Sequence, residues 1–581
     1  MRKRLNITML LAAASVGAGI FLRVHGVGDQ IPLDDEWHGM FVAATRGLGY
    51  IATHFEVTGT SIPYTLYRRL CLLTVGWDEV ILRLPSLIAG CAALMVFPLF
   101  ARRLFKDRAA ALFSFLLAVS PMLIYFSRYS RAYSVIALLQ FIAVLSFYFW
   151  LTGGGRRHAA VFVVCMALAV WFHVFAGVTL AACFLFACVM VSPLARFVCP
   201  ADRRGAAVSP REVLLVFGAA GLLSAAFYLP AMWNGSLFVF SSLRLKAGVP
   251  GLAAFLSAAR LMSGTSETPA FVLTVLLAGT GFWVVRRTQP VLASLILCLA
   301  LCAAGAFFVS WAQGMTGFSM ARYAIVLLPF FLLLAALGLE CVMQAVGANV
   351  RRIGATLSGL TAVGILGYLC LAGPLLPVYA RVNNFTNHNA YQQDYAAAWE
   401  QAPYRDAWFP LPLEPERIPG FYGRLAAEPG AGRILEYPMM IGGYLNFHEY
   451  YQRLHRREIV GGYLPRERRP GAGSPSMLNA LDMIDRVFGA VPDRGRLRFG
   501  TLLDMRDIDG IGRRRVRYVI LHGDPVWEGY GAAGGPVLSA DPAFTRLTDL
   551  YRRTFGDPVY ADAMITVFKV PETGGQDELS P

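Results

Sequence analysis

The sequence predicts a polytopic α-helical membrane protein with an extracytoplasmic α/β domain at its C-terminal end. Three observations predict this. Hydrophobic residues make up 56% of the 581 and charged residues only 15%, whereas soluble proteins carry about 25% charged residues. Apolar runs long enough for membrane helices recur along the first 377 residues. After that point charge rises, the runs shorten, and Pro/Gly punctuation appears at Pro429-Gly-Ala-Gly and Pro470-Gly-Ala-Gly.

A bilayer core of about 30 Å takes about 20 apolar residues per helix. Runs of this kind cover 7–23, 80–101, 109–126, 132–151, 159–172, 174–195, 212–231, 269–285, 289–311, 323–345 and 354–376, about eleven transmembrane helices. The stretch Ala159–Phe197 is too long for one helix and is divided near His173. With Arg2, Lys3 and Arg4 in the cytosol, every alternate short turn is basic: Arg102/Arg103/Lys106/Arg108, Arg156/Arg157, Arg196/Arg203/Arg204/Arg211, Arg286/Arg287 and Arg351/Arg352. This is the positive-inside pattern. It places 24–78, 127–131, 232–268, 312–322 and everything after 377 outside an inner or plasma membrane. The first run is read as a retained signal-anchor, because the residues just beyond it carry chemistry.

Residues 1–377 hold 28 Lys+Arg against 12 Asp+Glu, and residues 378–581 hold 24 against 25. The basic excess therefore belongs to the membrane half. It points to anionic lipid headgroups or a phosphate ligand and not to nucleic acid. The ten cysteines lie between Cys71 and Cys370, scattered in apolar runs without metal-ligand spacing. They read as buried thiols rather than a disulfide scaffold or a zinc site. In the 378–581 domain, Arg433–Tyr437, Val516–Leu521 and Met564–Val570 read as strands, and helical spacing occurs around 386–400 and 476–488.

The first outer loop contains Leu33-Asp34-Asp35-Glu36-Trp37-His38. Three adjacent carboxylates repel one another unless they are solvated or face cations. They suit a general base or a metal site at the membrane surface, or simply a wet loop. The other outer turns carry arginines: Arg83-Leu-Pro-Ser86, Ser127-Arg128-Tyr129-Ser130-Arg131-Ala-Tyr133 and Arg322-Tyr323; Phe172-His173 closes another. Arginine on this side runs against the topology bias. Snorkelling to lipid phosphates accounts for one such residue. Four of them beside an acidic loop suggest a bound phosphate, which Arg grips bidentately at any working pH.

In order and spacing, Asp34-Asp35-Glu36, His54-Phe-Glu56, Ser61-Ile-Pro63-Tyr64-Thr-Leu-Tyr67, Arg83-Leu-Pro-Ser, Ser120-Pro121, Ser127-Arg128, Arg131-Ala-Tyr133 and Phe172-His173 resemble the polyprenyl-phosphate-sugar-dependent glycosyltransferases. That superfamily includes the protein O-mannosyltransferases, the aminoarabinose transferase and bacterial dolichyl-mannosyltransferase-like proteins. The resemblance covers residues 5–200 well and the Arg322-Tyr323 span moderately. It implies a GT-C fold and an Asp-Glu pair in the first outer loop whose Asp is the catalytic base. Here the pair is Asp35-Glu36, with Asp34 leaving the register open by one residue. It further implies an inverting transfer of a hexose or pentose from a polyprenyl-phosphate carrier to an envelope glycan, lipid or protein acceptor.

On this reading Arg128, Arg131 and Arg322, with Arg83 second, hold the donor phosphate. Trp37, His54, Tyr64, Tyr67, Tyr133 and His173 are candidates for contact with donor or acceptor sugar. No cofactor is expected; a divalent metal at Asp34/Asp35/Glu36 with His54 is the less favoured arrangement. The rival reading is a non-catalytic lipid-linked-sugar translocator or assembly protein. That function needs polar residues across the bilayer midplane, and the apolar runs offer few beyond Gln140, Ser224 and Glu340. The stretch Glu436-Tyr-Pro, Tyr450-Tyr451-Gln452-Arg-Leu-His455 and Ile459–Tyr463 resembles outer domains appended to some bacterial members, without a role attached.

Overall fold

The computed structural model describes residues 7–25, 27, 36, 39–40, 42–43, 46–54, 61–76, 79–153, 155–198, 208–242, 252–265, 267–309, 317–349, 354–372, 418–429, 432–437, 451, 454–455, 457, 508, 511, 516–522 and 542–571. The chain divides into two compact units. One comprises Met1–Val27, Leu48–Ala380 and Ala390–Trp408; the other comprises Gly28–Gly47, Arg381–Asn389 and Phe409–Pro581. Glu36, the described member of the acidic motif, falls in the second unit. Around it, Met40, Val42 and Ala43 are buried apolar residues.

The first unit is helical. Its elements are α1 (Ile7–Val24), α2 (Leu48–Thr53), α3 (Ile62–Thr74), α4 (Glu79–Leu104), α5 (Asp107–Val119), α6 (Pro121–Ser127), α7 (Tyr133–Leu151), α8 (Arg156–Phe172), α9 (Ala176–Val191), α10 (Pro210–Ser242), α11 (Leu252–Ser263), α12 (Thr268–Thr288), α13 (Pro290–Val309), α14 (Gly317–Tyr323), α15 (Leu327–Asn349) and α16 (Gly354–Leu371). All eleven apolar segments are helical. Among the described residues seven helices are long and apolar enough to cross a membrane, eight when α5 and α6 count as one span bent by 59° at Ser120-Pro121. The other three segments, α1, α8 and α9, are 16–18 residues long. The chain is an integral membrane protein by its own composition.

Two features depart from the hydropathy reading. Helix α10 continues to Ser242, well past the expected end at 231. Helix α11 lies inside the expected 232–268 loop, because its 12 residues are too few for a span yet form a helix with one apolar side.

Small residues let helices approach closely. Helices α12 and α15 pack along an antiparallel seam at Gly281 and Gly338. A β-carbon on Gly281 would lie 1.8 Å from the Leu334 carbonyl oxygen, and one on Gly338 would lie 1.9 Å from that of Leu277. Among the polar side chains of the apolar runs, Gln140 Nε2 donates to Thr179 Oγ1 at 2.8 Å and Gln344 Nε2 donates to Glu340 Oε1 at 3.1 Å, whereas the buried Ser224 hydroxyl has no hydrogen-bond partner among the described residues.

The second unit contains α17 (Gly420–Ala427), β1 (Arg433–Tyr437), β2 (Val516–His522), α18 (Pro542–Phe555), β3 (Tyr560–Ala561) and β4 (Ile565–Lys569). The strands form one sheet in the order β1-β2-β4-β3. Strands β1 and β2 are parallel, with a register irregularity at Arg433/Ile434, and the other pairs are antiparallel. Ile434, Leu435, Val519, Ile520, Val567 and Phe568 form the core with Phe421, Leu425 and Tyr551 of the helices. The three strands expected from sequence are present. The helical spacing at 386–400 and 476–488 lies outside the described residues.

Candidate active site

One end of the helical unit is built around two prolines. In an α-helix each N–H bonds the carbonyl four residues back, and proline has no N–H to give. Pro85 in α4 therefore leaves the Ile81 carbonyl without its helical donor. Tyr67 of α3 supplies one, its hydroxyl lying 2.6 Å from that oxygen. One turn away along α3, the Tyr64 hydroxyl donates to the Leu82 carbonyl at 3.1 Å and lies 3.1 Å from Ser86 Oγ. Pro121 leaves the Leu117 carbonyl of α5 in the same condition. Arg23 Nη2 donates to it at 3.0 Å, and Nη1 reaches Ala118 O at 3.3 Å and Gly19 O at 2.9 Å.

The bend between α6 and α7 is locked into this lattice. Ser130 Oγ donates to Leu82 O at 2.6 Å, and Ser86 Oγ donates to the Arg131 carbonyl at 2.5 Å. Buried Arg68 donates to Ser130 through Nε (3.3 Å) and Nη2 (3.0 Å to Oγ, and to the carbonyl), with its guanidinium 4.8 Å from the Tyr64 ring centre. The backbone at Arg131 is thereby fixed by side chains from α3 and α4.

Beyond it lies a cluster contributed by three segments. Tyr133 opens α7, His173 closes α8, and Arg322 and Tyr323 end α14. Ring centroids are 5.8 Å apart for Tyr133–His173, 5.5 Å for His173–Tyr323 and 6.5 Å for Tyr133–Tyr323. The Arg322 guanidinium stands 4.9 Å from the Tyr323 ring centre and 5.8 Å from that of Tyr133, and its Nη2 donates to the Tyr323 hydroxyl at 3.1 Å. Phe175 closes the group 5.3 Å from Tyr323. His173 sits buried in the turn between α8 and α9. Burial, then the cations of Arg131 and Arg322, hold its imidazole down to about 3. Two guanidinium groups thus bear on one neutral imidazole within an aromatic wall, an arrangement suited to an anion.

Among the sequence candidates, the structure brings Arg131, Arg322, Tyr133 and His173 together. Arg128 Nη1 donates to Leu22 O (3.1 Å) and His25 O (2.5 Å), and Arg83 Nη1 donates to Val27 O (2.9 Å). Both are buried and hold the end of α1. Tyr64 and Tyr67 direct their hydroxyls into the lattice. His54 stacks on Tyr50 at 3.9 Å, its Nδ1 within 2.9 Å of Thr53 Oγ1 and 3.2 Å of Tyr50 O. Glu36 is buried in the second unit. Asp34, Asp35 and Trp37 lie outside the described residues. Two buried arginines escaped the sequence reading, Arg23 and Arg68. The available signal was a cation inside or beside an apolar run with a proline distant in sequence, which does not reveal the partner carbonyl.

No family model matches the chain, and no curated protein matches it. Its fold is similar to that of ArnT from Cupriavidus metallidurans in the apo state, with a TM-score of 0.51 and 12% identity, covering 97% of this chain and 98% of that one. The fold is GT-C. Lower-scoring similarities are to the Archaeoglobus fulgidus oligosaccharyltransferase in the apo form (TM-score 0.49, 14% identity, 90% of this chain and 70% of that one) and to the mycobacterial arabinofuranosyltransferase AftD (0.48, 16%, 97% and 40%).

The GT-C unit of this chain shows no metal cage among its described residues: no group of three or more His, Cys, Asp or Glu side chains is arranged to hold an ion. In the C-terminal unit, Glu436, Tyr451 and His455, all from the stretch singled out in the sequence, meet Tyr422 and His522. His522 Nε2 lies 2.9 Å from Glu436 Oε2, the Tyr422 hydroxyl lies 3.2 Å from both, and Tyr422 stacks on Tyr451 at 4.2 Å. All five side chains are buried.

Proposed function

We propose that this GT-C protein is an inverting glycosyltransferase. It moves a monosaccharide from a polyprenyl-phosphate carrier to a glycan, lipid or protein acceptor at the outer face of the membrane. The observation that carries the proposal is the aromatic-walled cluster of Tyr133, His173, Arg322 and Tyr323, with the charge of Arg131 bearing on His173, at the helix ends opposite the basic turns. Arg102 and Arg103 end α4, Arg156 and Arg157 open α8, and Arg286 and Arg287 end α12. The positive-inside rule makes those ends cytosolic, which supports an outward-facing cluster. A carrier of this class, undecaprenyl phosphate, has been crystallised on ArnT.

In the reaction the acceptor hydroxyl oxygen attacks C1 of the sugar from the side opposite the phosphate. The C1–O bond to phosphate breaks, the anomeric centre inverts, and the hydroxyl proton passes to Asp35. Asp is ionised at pH 7 without tuning, and general-base help is worth about 10²–10⁴-fold. The larger share falls to positioning and to Arg131 and Arg322, which stabilise the charge growing on the departing phosphate. Glu36 positions a sugar, and Tyr133 and Tyr323 offer ring faces to it.

The test is transfer from labelled polyprenyl-phosphate sugar in membranes. Asp35→Asn abolishes turnover while leaving donor binding intact, and Arg131→Ala or Arg322→Ala weakens donor binding. Full turnover by Asp35→Asn removes the base assignment. Undiminished binding by both arginine variants removes the phosphate site.

A further inference from the structure

His173 carries information beyond its place in the cluster. Its Nδ1 accepts the backbone N–H of Phe175 at 3.2 Å. That contact decides the tautomer, because the two ring nitrogens of a neutral imidazole divide donor and acceptor roles. A proton on Nδ1 would face the Phe175 N–H, donor against donor. The turn is further held by His173 N donating to Ala169 O and Ala176 N donating to His173 O, both at 2.9 Å. The ring therefore carries its single proton on Nε2.

The surroundings agree. Among the described residues, the charged or titratable side chains bearing on the ring are Arg131, Arg322, Tyr133 and Tyr323, two permanent cations and two phenols. Neither cation tolerates a third positive charge beside it, and burial removes the water that would stabilise one.

We infer that His173 serves as a neutral hydrogen-bond donor, through Nε2–H, to the same phosphate that Arg131 and Arg322 hold. This inference rests on the proposed donor site and makes His173 a positioning group rather than a base. The chemistry favours a neutral third donor. The donor lipid is a phosphodiester with one negative charge, and the product is a monoester that gains a second. A third cation would deepen the product's well more than the substrate's. An N–H adds direction without adding charge.

The experiment uses the full-length protein in nanodiscs, with undecaprenyl phosphate as the probe and undecaprenol as the phosphate-free control. His173→Gln keeps an amide N–H close to the position of Nε2, and His173→Phe keeps a ring and removes the donor. Binding of undecaprenyl phosphate is expected to fall about tenfold in His173→Phe, the worth of one hydrogen bond to a charged group. It is expected to stay within about threefold of wild type in His173→Gln, with undecaprenol binding the same in all three. In wild-type protein labelled with ring-¹⁵N histidine, the His173 signals, identified by their absence in His173→Gln, show protonated Nε2 and bare Nδ1. The Nε2 signal shifts when the phosphate lipid is added.

Wild-type affinity in His173→Phe, equal loss in Gln and Phe, or an Nε2 signal indifferent to the lipid each overturns the inference. If any of these occurs while Arg131→Ala and Arg322→Ala still weaken binding, the donor site stands and only the role of His173 falls. If both arginine variants bind normally, the underlying reading falls with it.

Discussion

Arg23 donates a hydrogen bond to the Leu117 carbonyl, 94 positions away in the chain, at 3.0 Å. That oxygen is the one deprived of its helical donor by Pro121. Tyr67 does the same for Ile81, the carbonyl deprived by Pro85. The chain bends by 59° at Pro121, whereas Pro85 lies within one helix, and each freed carbonyl becomes an anchor for another segment. Unsatisfied backbone groups are expensive inside a membrane, so the anchors and the bends stabilise one another.

Arg23→Met should lower the thermal midpoint of the purified protein. The loss corresponds to about 3 kcal/mol, because the buried Leu117 and Ala118 carbonyls lose a charged donor. Pro121→Ala in the same chain restores an N–H to Leu117 and should recover part of the loss. A strictly additive double variant would show that the two residues do not share the carbonyl.

The Gly281–Gly338 seam predicts a sharp positional contrast. Gly281→Ala or Gly338→Ala drives a methyl into a backbone carbonyl on the facing helix and should cost about 1–3 kcal/mol each. The double variant should cost less than the sum, because separating α12 from α15 once relieves both clashes. Gly279→Ala, whose β-carbon meets nothing within 4 Å, should be neutral. Thermal unfolding of the three single variants and the double variant checks the series.

Much of this was legible in the amino-acid order, for identifiable reasons. Long apolar runs leave no alternative to helices in a bilayer, and the division at His173 follows from length alone. Strands at Arg433–Tyr437 and Val516–His522 announce themselves by β-branched and apolar residues between turns. What stayed hidden was pairing across distance. Arg128 and Arg131 look equivalent three residues apart, yet one gives a nitrogen to the end of α1 while the other joins Arg322 and His173. The difference arises from which way the chain leaves α6, which depends on Ser130, Ser86 and Arg68 packing from elsewhere. Helix α11 stayed hidden because a 12-residue helix with one apolar side satisfies neither the rule for a span nor that for a strand.

The lattice itself gives a prediction that separates stability from binding. Ser130→Ala removes the donor to Leu82 and the hydroxyl acceptor for Arg68 together, so the backbone carrying Arg131 is held less firmly, although Arg68 keeps the Ser130 carbonyl and Ser86 keeps that of Arg131. Affinity for undecaprenyl phosphate should fall about tenfold, a loss of roughly 1.4 kcal/mol. Tyr67→Phe removes the bond to Ile81, remote from Arg131 in the chain. It should cost about 1 kcal/mol of stability and leave affinity unchanged. Equal affinity loss in both would mean that the lattice acts as one block.

The buried cluster in the C-terminal unit gives a pH dependence of fixed sign. Burial, with Arg457 beside it, holds His455 to about 3, and burial holds His522 to about 3 against the opposing pull of Asp562. Glu436 lies 2.9 Å from His522 Nε2, close enough to favour a cation, but neutral His522 already satisfies it by donating Nε2–H. In the unfolded chain both imidazoles take up a proton near 6.5. Between pH 6.5 and about 3 the unfolded state therefore binds more protons, and stability falls as pH falls. Above 6.5 neither imidazole contributes. At pH 4.5 the loss is about 2–3 kcal/mol for each imidazole by the same linkage. Amide hydrogen exchange of the full chain should show β1 and β2 losing protection on acidification across this window, while the membrane helices keep theirs. His522→Gln retains an amide donor toward Glu436 but cannot titrate. It should flatten the acid limb by about half, and an unchanged limb would assign the transition to other groups.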